Sequence, residues 1–375
     1  MVQEKALQIL KSIFFKQSDL IFRYRMFYLL NKELSFEVDV SACGCGMNSA
    51  LYFITMESDG GQASSGYTGA TYGTGYCDAQ PPQPGRPSCD ELDIWEANSL
   101  TNVYTTHPCL NGQCDPYGCG FNTYARGDKN FYGRGPGYQV DSTQKFTVVT
   151  RFVTVDGTDN GDLKEIQRFY IQNDRTIQQP SFNGFNGLSD AYCSAFSQSN
   201  AQGGVSYGMS QGMRKGMVLS MSMWGNPNDG SVMAWLDNEP NGPCPNYQNP
   251  NPYTTFGNIK IGPIGSTTKV CYYPLWELLQ IMVEKTGVVL DYQVYQLDRL
   301  RRSTQLFYIV KYTFFFKFLF RSGTTVMEAK SSGNTIVTFL VMISEMQKLL
   351  ENCVAAFALT QTDAATSVTL KEFVT

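Results

Sequence analysis

The sequence predicts an all-β fold, an antiparallel β-sandwich, for the larger part of its 375 residues. From about residue 26 to residue 265, short strand-like runs follow one another without helical periods between them. Segments rich in Gly, Pro and Asn separate these runs and read as turns. Only 17% of the residues are charged, whereas 22 Tyr and 24 Phe are present. This composition is typical of a turn-rich β protein and excludes a coiled coil or a disordered chain.

The first predicted strand is residues 34–40, where apolar and polar residues alternate as in a half-buried strand. Residues 146–155 and 163–172 flank the segment DGTDNGD, which predicts a β-hairpin. Residues 217–223 and 232–236 form a second such pair, joined by GNPNDGS, and predict another hairpin. Strands at this density favour a sandwich.

The N-terminal segment, residues 1–25, differs from this pattern. Its apolar spacing could form an amphipathic helix, but it has neither a continuous apolar stretch nor a small-residue cleavage site. It therefore does not predict a signal peptide, and we interpret it as other than the natural start of the protein.

The C-terminal segment, residues 269–375, also differs. Residues 276–286 and 335–359 have helix-like apolar spacing, so we expect a helical or poorly ordered tail. Residues 307–320 form an apolar run that is too short to span a bilayer and contains two lysines. We interpret this run as a buried or aggregation-prone strand rather than a membrane anchor.

The charge balance excludes several classes of partner. With 29 Lys+Arg against 33 Asp+Glu, the chain has no basic footprint for nucleic acid or an anionic membrane. The single histidine, His107, excludes a multi-histidine metal site, and we expect no metal.

The cysteines indicate an oxidising compartment. Most of the eleven fall between Cys43 and Cys244 in loop-like contexts, which is typical of a disulfide framework. The odd total leaves at least one cysteine unpaired or paired between chains.

Three carboxylates, Glu91, Asp93 and Glu96, lie within six residues in the segment ELDIWEANS. On a regular strand Glu91 and Asp93 share one face, whereas Glu96 would point to the other. The apolar Trp95 directly follows Ile94, which breaks the alternation once. A single β-bulge there would turn Trp95 inward and return Glu96 to the face of the other two carboxylates.

Three carboxyl groups on one face are costly to ionise together, so at least one should have a raised pKa. Two carboxyls about 5–5.5 Å apart are what a retaining glycosidase needs. A solvated acidic strand edge is the alternative, and composition alone favours it. A calcium site is a weaker alternative, because it would need more oxygen ligands than this segment offers.

The segment ELDIWEANS, followed by THPC, resembles the signature of glycoside hydrolase family 7, the fungal and protist cellobiohydrolases and endoglucanases. Further similar segments follow in order and cover residues 26–267: LLNKELSFEVDV, CGMNSALYF, YGTGYCDAQ, CDPYGCGFNTY, FYGRGPG, MVLSMSMW, MAWLD and FGNIKIGPIGST.

The resemblance implies a concanavalin-like jelly roll with a substrate cleft on its concave face, here truncated at the N-terminus because the family's first strands are unmatched. It implies Glu91 as nucleophile, Glu96 as acid/base and Asp93 as the partner that positions Glu91. The implied reaction is hydrolysis of β-1,4-glucosidic bonds with retention of configuration. We expect a polysaccharide substrate, no cofactor, a monomer and an extracellular location.

The resemblance also implies substrate-binding residues. His107 matches a histidine beside the leaving group, and Trp224 and Trp235 match sugar-stacking residues on the product side. The remaining candidates match polar positions that line the cleft: Asn48, Tyr52, Tyr76, Asp78, Gln80 and Arg126. The alternative for each is an ordinary core or loop residue.

The disulfides implied by the resemblance are four: Cys45–Cys244, Cys77–Cys89, Cys109–Cys114 and Cys119–Cys193. Both halves of a further family pair are absent together, since Pro81 and Ser88 occupy those positions. Cys43, Cys271 and Cys353 have no implied partner.

We therefore predict three regions: residues 1–25 outside the family, a partial catalytic domain at 26–268, and an unrelated tail at 269–375. The short segments PPQPGRPS and Cys109–Cys114 resemble the endoglucanases and predict an open cleft and endo-acting cleavage. A cellobiohydrolase, a non-catalytic glucan-binding remnant, and an interaction protein built around the tail are the alternatives.

Overall fold

The computed structural model describes residues 23–196, 198–238, 242–244 and 247–268, together with the backbone of a strand at residues 367–371. The predicted helices and the apolar run between residues 269 and 366 lie outside the described residues, as do residues 1–22. Within the described residues, every helix is too short or too polar to span a lipid bilayer.

The strands alternate with tight turns along the chain, as the turn-rich sequence predicts. They are β1 Lys32–Asp39, β2 Met47–Ile54, β3 Glu91–Ala97, β4 Asn102–His107, β5 Cys109–Leu110, β6 Gln113–Cys114, β7 Cys119–Asn122, β8 Tyr132–Gly133, β9 Val140–Asp141, β10 Phe146–Thr154, β11 Leu163–Gln172, β12 Arg175–Gln178, β13 Gly187–Leu188, β14 Val218–Gly225, β15 Tyr253–Pro263 and β16 Ser367–Lys371. The α-helices are α1 Gln62–Ser65, α2 Asp190–Ala195 and α3 Met209–Lys215.

Two antiparallel sheets form the sandwich in the described part of the chain. The larger sheet has the order β12-β11-β10-β1-β15-β16, with β13 paired to β11, and the smaller sheet has the order β14-β2-β3-β4-β7. Their inner faces meet in one hydrophobic core, in which the buried Trp95 of β3 packs edge-on against Phe36 of β1 and Phe146 of β10. The predicted β-sandwich is confirmed.

The first predicted hairpin is confirmed. Strands β10 and β11 pair antiparallel from Thr147↔Ile171 to Thr154↔Leu163, on either side of the DGTDNGD turn. The predicted strand at residues 34–40 is also confirmed, as β1.

The second predicted hairpin is wrong. Strand β14 is present, but the residues after its turn form two helical turns, Gly230–Met233 and Ala234–Asn238. Asp229 starts the first turn, because its side chain accepts a hydrogen bond from the backbone N–H of Ser231 (3.0 Å). The buried apolar residues of this segment are Met233 and Leu236, three positions apart, which is the period of a helical face and not of a strand.

The four disulfides implied by the family resemblance are all present, and the longest joins Cys45 to Cys244 across 199 residues. Cys43 is buried, and its thiol donates to the carbonyl of Ala97 at 3.8 Å. Cys271 and Cys353 lie outside the described residues.

Strand β16 lies in the segment predicted to be an unrelated tail. Its backbone pairs with β15 from Ser367↔Gly257 to Lys371↔Tyr253 and covers the outer edge of that strand. Unpaired strand edges promote association with other chains. This pairing therefore protects one edge of the larger sheet.

Candidate active site

The predicted β-bulge in β3 is present and decides which side chains face the cleft. Asp93 is opposite Tyr52 on β2, and the next paired residue is Trp95, opposite Leu51. Ile94 is therefore the extra residue of the bulge. Ile94 and Trp95 are both fully buried in the core. Glu91, Asp93 and Glu96 consequently lie together on the outer face of the smaller sheet.

Glu91 begins β3, directly opposite His107 on β4. The backbone N–H of Ala79 donates to its Oε2 atom at 2.9 Å. Burial, together with the negative charge of Asp93, raises the pKa of Glu91 to about 8, although His107 and the Ala79 hydrogen bond lower it. A carboxyl group with this pKa exchanges its proton near neutral pH.

Glu96 is the last of the three carboxylates along β3, and its side chain is positioned by Asn48 of β2. The side-chain amide of Asn48 donates to Oε1 of Glu96 at 2.8 Å and accepts from the backbone N–H of Ala97 at 3.0 Å. Burial, with the charges of Asp93 and Glu91, raises the pKa of Glu96 well above its ordinary value. Glu96 is thus suited to hold a proton that it can donate.

Asp93 and His107 form an ion pair in the middle of the site. The Nε2 atom of His107 lies 3.1 Å from Oδ2 of Asp93, and its Nδ1 atom lies 2.9 Å from the carbonyl oxygen of Asp115. Burial disfavours the imidazolium, but the hydrogen bond to Asp93 and the charges of Asp93 and Glu91 outweigh it and raise the pKa of His107 to about 10. The site therefore carries one buried cation among three carboxyl groups.

The ring of His107 packs closely against the backbone of Gly118. A Cβ atom at Gly118 would lie 2.6 Å from the ring, and the backbone φ angle of this glycine is +64°. Both facts require glycine at this position.

Two exposed tryptophans lie beside the carboxylates. Trp224 of β14 and Trp235 are stacked, with ring centroids 6.4 Å apart and an interplanar angle of 23°. About 43% of Trp224 and 44% of Trp235 is accessible to solvent. Indole faces exposed in this way are suited to the apolar faces of sugar rings.

The segment that carries Trp235 is anchored by Asp237. The Oδ2 atom of Asp237 accepts hydrogen bonds from the backbone N–H of Gly46 (3.2 Å) and from the side chain of Asn98 (2.7 Å). Gly46 precedes β2 and Asn98 follows β3, so this buried carboxyl fastens the tryptophan segment to the strands that hold Glu96.

The comparisons with known proteins agree with this geometry. The sequence profile of glycosyl hydrolase family 7 matches residues 2–86 and 85–268. The chain belongs to glycosyl hydrolase family 7. The profile match begins at residue 2, ahead of the boundary predicted at residue 26.

Named relatives of this family 7 chain include an endo-beta-1,4-glucanase of Emericella nidulans, which is 41% identical over 291 residues. That match covers 65% of this chain and 67% of the relative, so the chain spans about two thirds of the length of this curated relative.

Two solved structures are similar to the chain. A family 7 cellobiohydrolase from Daphnia pulex is 39% identical with a TM-score of 0.57, covering 66% of this chain and 73% of that one. An endoglucanase I in complex with cellobiose is 39% identical with a TM-score of 0.59, covering 66% and 71%.

The remaining predicted site residues of the family 7 chain divide into two groups. Tyr52 is buried opposite Asp93 on the neighbouring strand, and its hydroxyl shares a hydrogen bond with that of Tyr76 at 3.0 Å. Burial raises the pKa of both tyrosines above the ordinary value, so they stay neutral hydrogen-bond donors. Asp78 is buried and forms an ion pair with Arg86 at 2.6 Å.

Gln80 and Arg126 have contacts away from the carboxylates. The side chain of Gln80 is exposed and donates to the carbonyl of Pro116 at 3.3 Å. The guanidinium of Arg126 donates to the hydroxyl of Tyr192 at 2.9 Å and lies 4.4 Å from the ring centroid of Phe196.

Three contacts of the site were not predicted from the sequence. They are the backbone N–H of Ala79, the carbonyl of Asp115, and Arg86 beside Asp78. A backbone group has no residue-type signal. Asp115 lies in the segment CDPYGCGFNTY that carried the resemblance, but only folding brings its carbonyl to His107.

Proposed function

We propose that this chain hydrolyses β-1,4-glucosidic bonds in cellulose or related β-glucans, with retention of configuration and by endo-acting cleavage in an open cleft. The observation that carries the proposal is the placement of Glu91, Asp93 and Glu96 on one sheet face by the bulge at Ile94. The names of the relatives support the substrate class.

In the first step, Glu96 donates its proton to the glycosidic oxygen while ionised Glu91 attacks the anomeric carbon. The bond between that carbon and the leaving oxygen breaks, and a glycosyl ester with Glu91 forms. The raised pKa of Glu96 supplies the proton, and the His107 cation opposite Glu91 favours the ionised nucleophile.

In the second step, water attacks the same carbon from the face that the leaving group vacated. Glu96, now ionised, takes a proton from the water, and the ester bond to Glu91 breaks. Two inversions give retention. Asp93 holds His107 by the 3.1 Å ion pair, and Asn48 orients Glu96 for both proton transfers.

Endo-acting cleavage is supported by the exposure of the sugar platform. Nearly half of each tryptophan, Trp224 and Trp235, is open to solvent. The loop between Gln80 and Ser88 is short and is held down by the Arg86–Asp78 ion pair. We also propose an extracellular location, because the four disulfides need an oxidising compartment.

The experiment is release of reducing sugar from carboxymethyl cellulose by the purified full chain, beside the variants Glu91→Gln and Glu37→Gln. Glu37 pairs with the exposed Lys145 on the larger sheet and is the matched control for the loss of one carboxylate. We expect activity in the wild type and in Glu37→Gln, and none in Glu91→Gln. The anomeric configuration of the first product, followed by proton NMR, tests retention.

Two outcomes would replace the proposal. A soluble, folded chain that binds cello-oligosaccharides without releasing reducing ends would be a glucan-binding protein. A chain that releases mostly cellobiose and leaves the viscosity of carboxymethyl cellulose unchanged would be a cellobiohydrolase, the activity named for the similar Daphnia pulex structure.

A further inference from the structure

The bulge leaves Ile94 out of the pairing register of β3. Ile94 has no partner residue in the register of β3 with either β2 or β4. Its carbonyl is buried beneath the carboxylate face, where an unpaired polar group would be costly. A donor from elsewhere must satisfy it if the bulge is to persist.

Arg168 supplies that donor from the opposite sheet. It lies on β11, directly opposite Thr150 of β10, and only 2% of the residue is accessible to solvent. Its Nη2 atom donates to the carbonyl oxygen of Ile94, and also to the hydroxyl of Thr150 at 3.1 Å. The guanidinium carbon lies 4.1 Å from the ring centroid of Tyr104 on β4. The side chain thus crosses the core and reaches the strand beneath the site.

Burying a guanidinium group in a hydrophobic core costs free energy, because the charged group loses its hydration. None of the ion pairs among the described residues includes Arg168. Its Nε and Nη1 atoms have no hydrogen-bond partner in the described part of the chain. Its hydrogen bonds are therefore those to Ile94 and Thr150, and the ring of Tyr104 adds a cation–π contact.

We propose that Arg168 is a positioning residue: its hydrogen bond to the Ile94 carbonyl maintains the bulge and so keeps Glu96 on the face of Glu91 and Asp93. Without the bulge, Glu96 belongs to the inner face of β3. Arg168 touches no substrate and acts only through the strand. The inference rests on the proposed function, in which Glu96 is the acid/base.

The readout is the dependence of activity on the leaving group. Phenyl β-cellobioside needs a proton on its departing oxygen, whereas 2,4-dinitrophenyl β-cellobioside does not. A displaced Glu96 therefore lowers kcat/KM for the first substrate and spares the second. A merely structural role for Arg168 would lower both equally, through the fraction of folded enzyme.

The variants are Arg168→Met, which keeps the apolar stem, and Arg168→Lys, which keeps one charged donor. We expect Arg168→Met to lower kcat/KM for the phenyl substrate about 100-fold, the usual contribution of a general acid, and for the dinitrophenyl substrate less than about threefold. Arg168→Lys should lie between Arg168→Met and the wild type. Arg151→Met is the matched control, because Arg151 is on the adjacent strand but pairs with Glu33. Its ratio of kcat/KM for the two substrates should equal that of the wild type.

An unchanged ratio of the two kcat/KM values in Arg168→Met overturns the inference. If Arg168→Met is insoluble, Arg168→Lys decides it in the same way. If the wild type cleaves neither substrate, the proposed function has failed, and a crystal structure of Arg168→Lys then decides the inference separately. Retention of the bulge and of the Asn48–Glu96 hydrogen bond in a variant that no longer contacts Ile94 would overturn it.

Discussion

The charge of His107 sets the pH range in which Glu91 is ionised, and the substitution His107→Gln tests this. Glu91 and His107 are directly opposite on β3 and β4, and the Cβ atoms of such pairs are typically about 5 Å apart, which we take as the separation of the two charges. With an effective dielectric constant of about 20, their attraction is about 3 kcal/mol, or about 2 pKa units. Loss of the cation should therefore raise the pKa of Glu91 further above its value of about 8.

Only ionised Glu91 attacks, so the rate falls tenfold for each pH unit below its pKa. The assay is kcat/KM for 4-nitrophenyl β-cellobioside between pH 4 and pH 10. We expect the acidic limb of the His107→Gln profile to lie about 2 pH units higher than in the wild type. Lys145→Gln, which removes an exposed cation from the larger sheet, is the control for net charge and should leave the limb in place. Superimposable profiles of His107→Gln and the wild type would refute the electrostatic reasoning, even if the variant were slower at every pH.

Three further predictions concern stability and binding. The pKa of Glu91 is raised in the fold, so its contribution to stability is present below its unfolded pKa of 4.5 and is lost as the pH rises through about 8. The Tm of Glu91→Gln should therefore match that of the wild type near pH 4.5 and exceed it at pH 8. Parallel curves of Tm against pH would contradict this. Trp235→Ala should raise KM for cellotetraose about 2- to 10-fold, as loss of one aromatic contact implies. Tyr28→Ala, which also removes an exposed ring, should leave KM unchanged. Equal KM values for both variants would refute a sugar-binding role for Trp235. Replacing Cys45 and Cys244 together by serine should lower the free energy of unfolding by up to about 5 kcal/mol, because the disulfide closes a 199-residue loop. The measurement is unfolding by urea, and an unchanged midpoint would contradict the prediction.

The bulge in β3 could be predicted because the sequence breaks its own alternation there. Glu91 and Asp93 are two positions apart, and the adjacent apolar pair Ile94–Trp95 can be buried only if one residue is extra. The direction in which the carboxylates point was therefore fixed by local sequence. The pairing of β10 with β11 was predictable for a similar reason, because its turn residues lie between two alternating runs.

Other features depend on contacts that no local pattern encodes. The run around Trp235 has the composition of a strand, but Met233 and Leu236 reach the core by a helical turn once Asp229 has capped it. The donor for Ile94 comes from Arg168, which is 74 residues away in the sequence and lies on the other sheet. The sign of the charge beside Glu91 depends on Asp93 holding His107 in its protonated form. The helical turn, the Arg168 contact and the charge of His107 all depend on contacts that form only in the packed sandwich.

The position of β1 determines the order in which the larger sheet can be assembled. This strand, at Lys32–Asp39, lies between β10 and β15, and β15 begins at Tyr253. During synthesis β1 emerges long before either partner, and contacts so distant in sequence form slowly. A nascent chain halted before residue 253 therefore exposes one side of its earliest strand to chaperones and to other chains. The larger sheet therefore closes when a later part of the chain, β15, pairs with its earliest strand, β1.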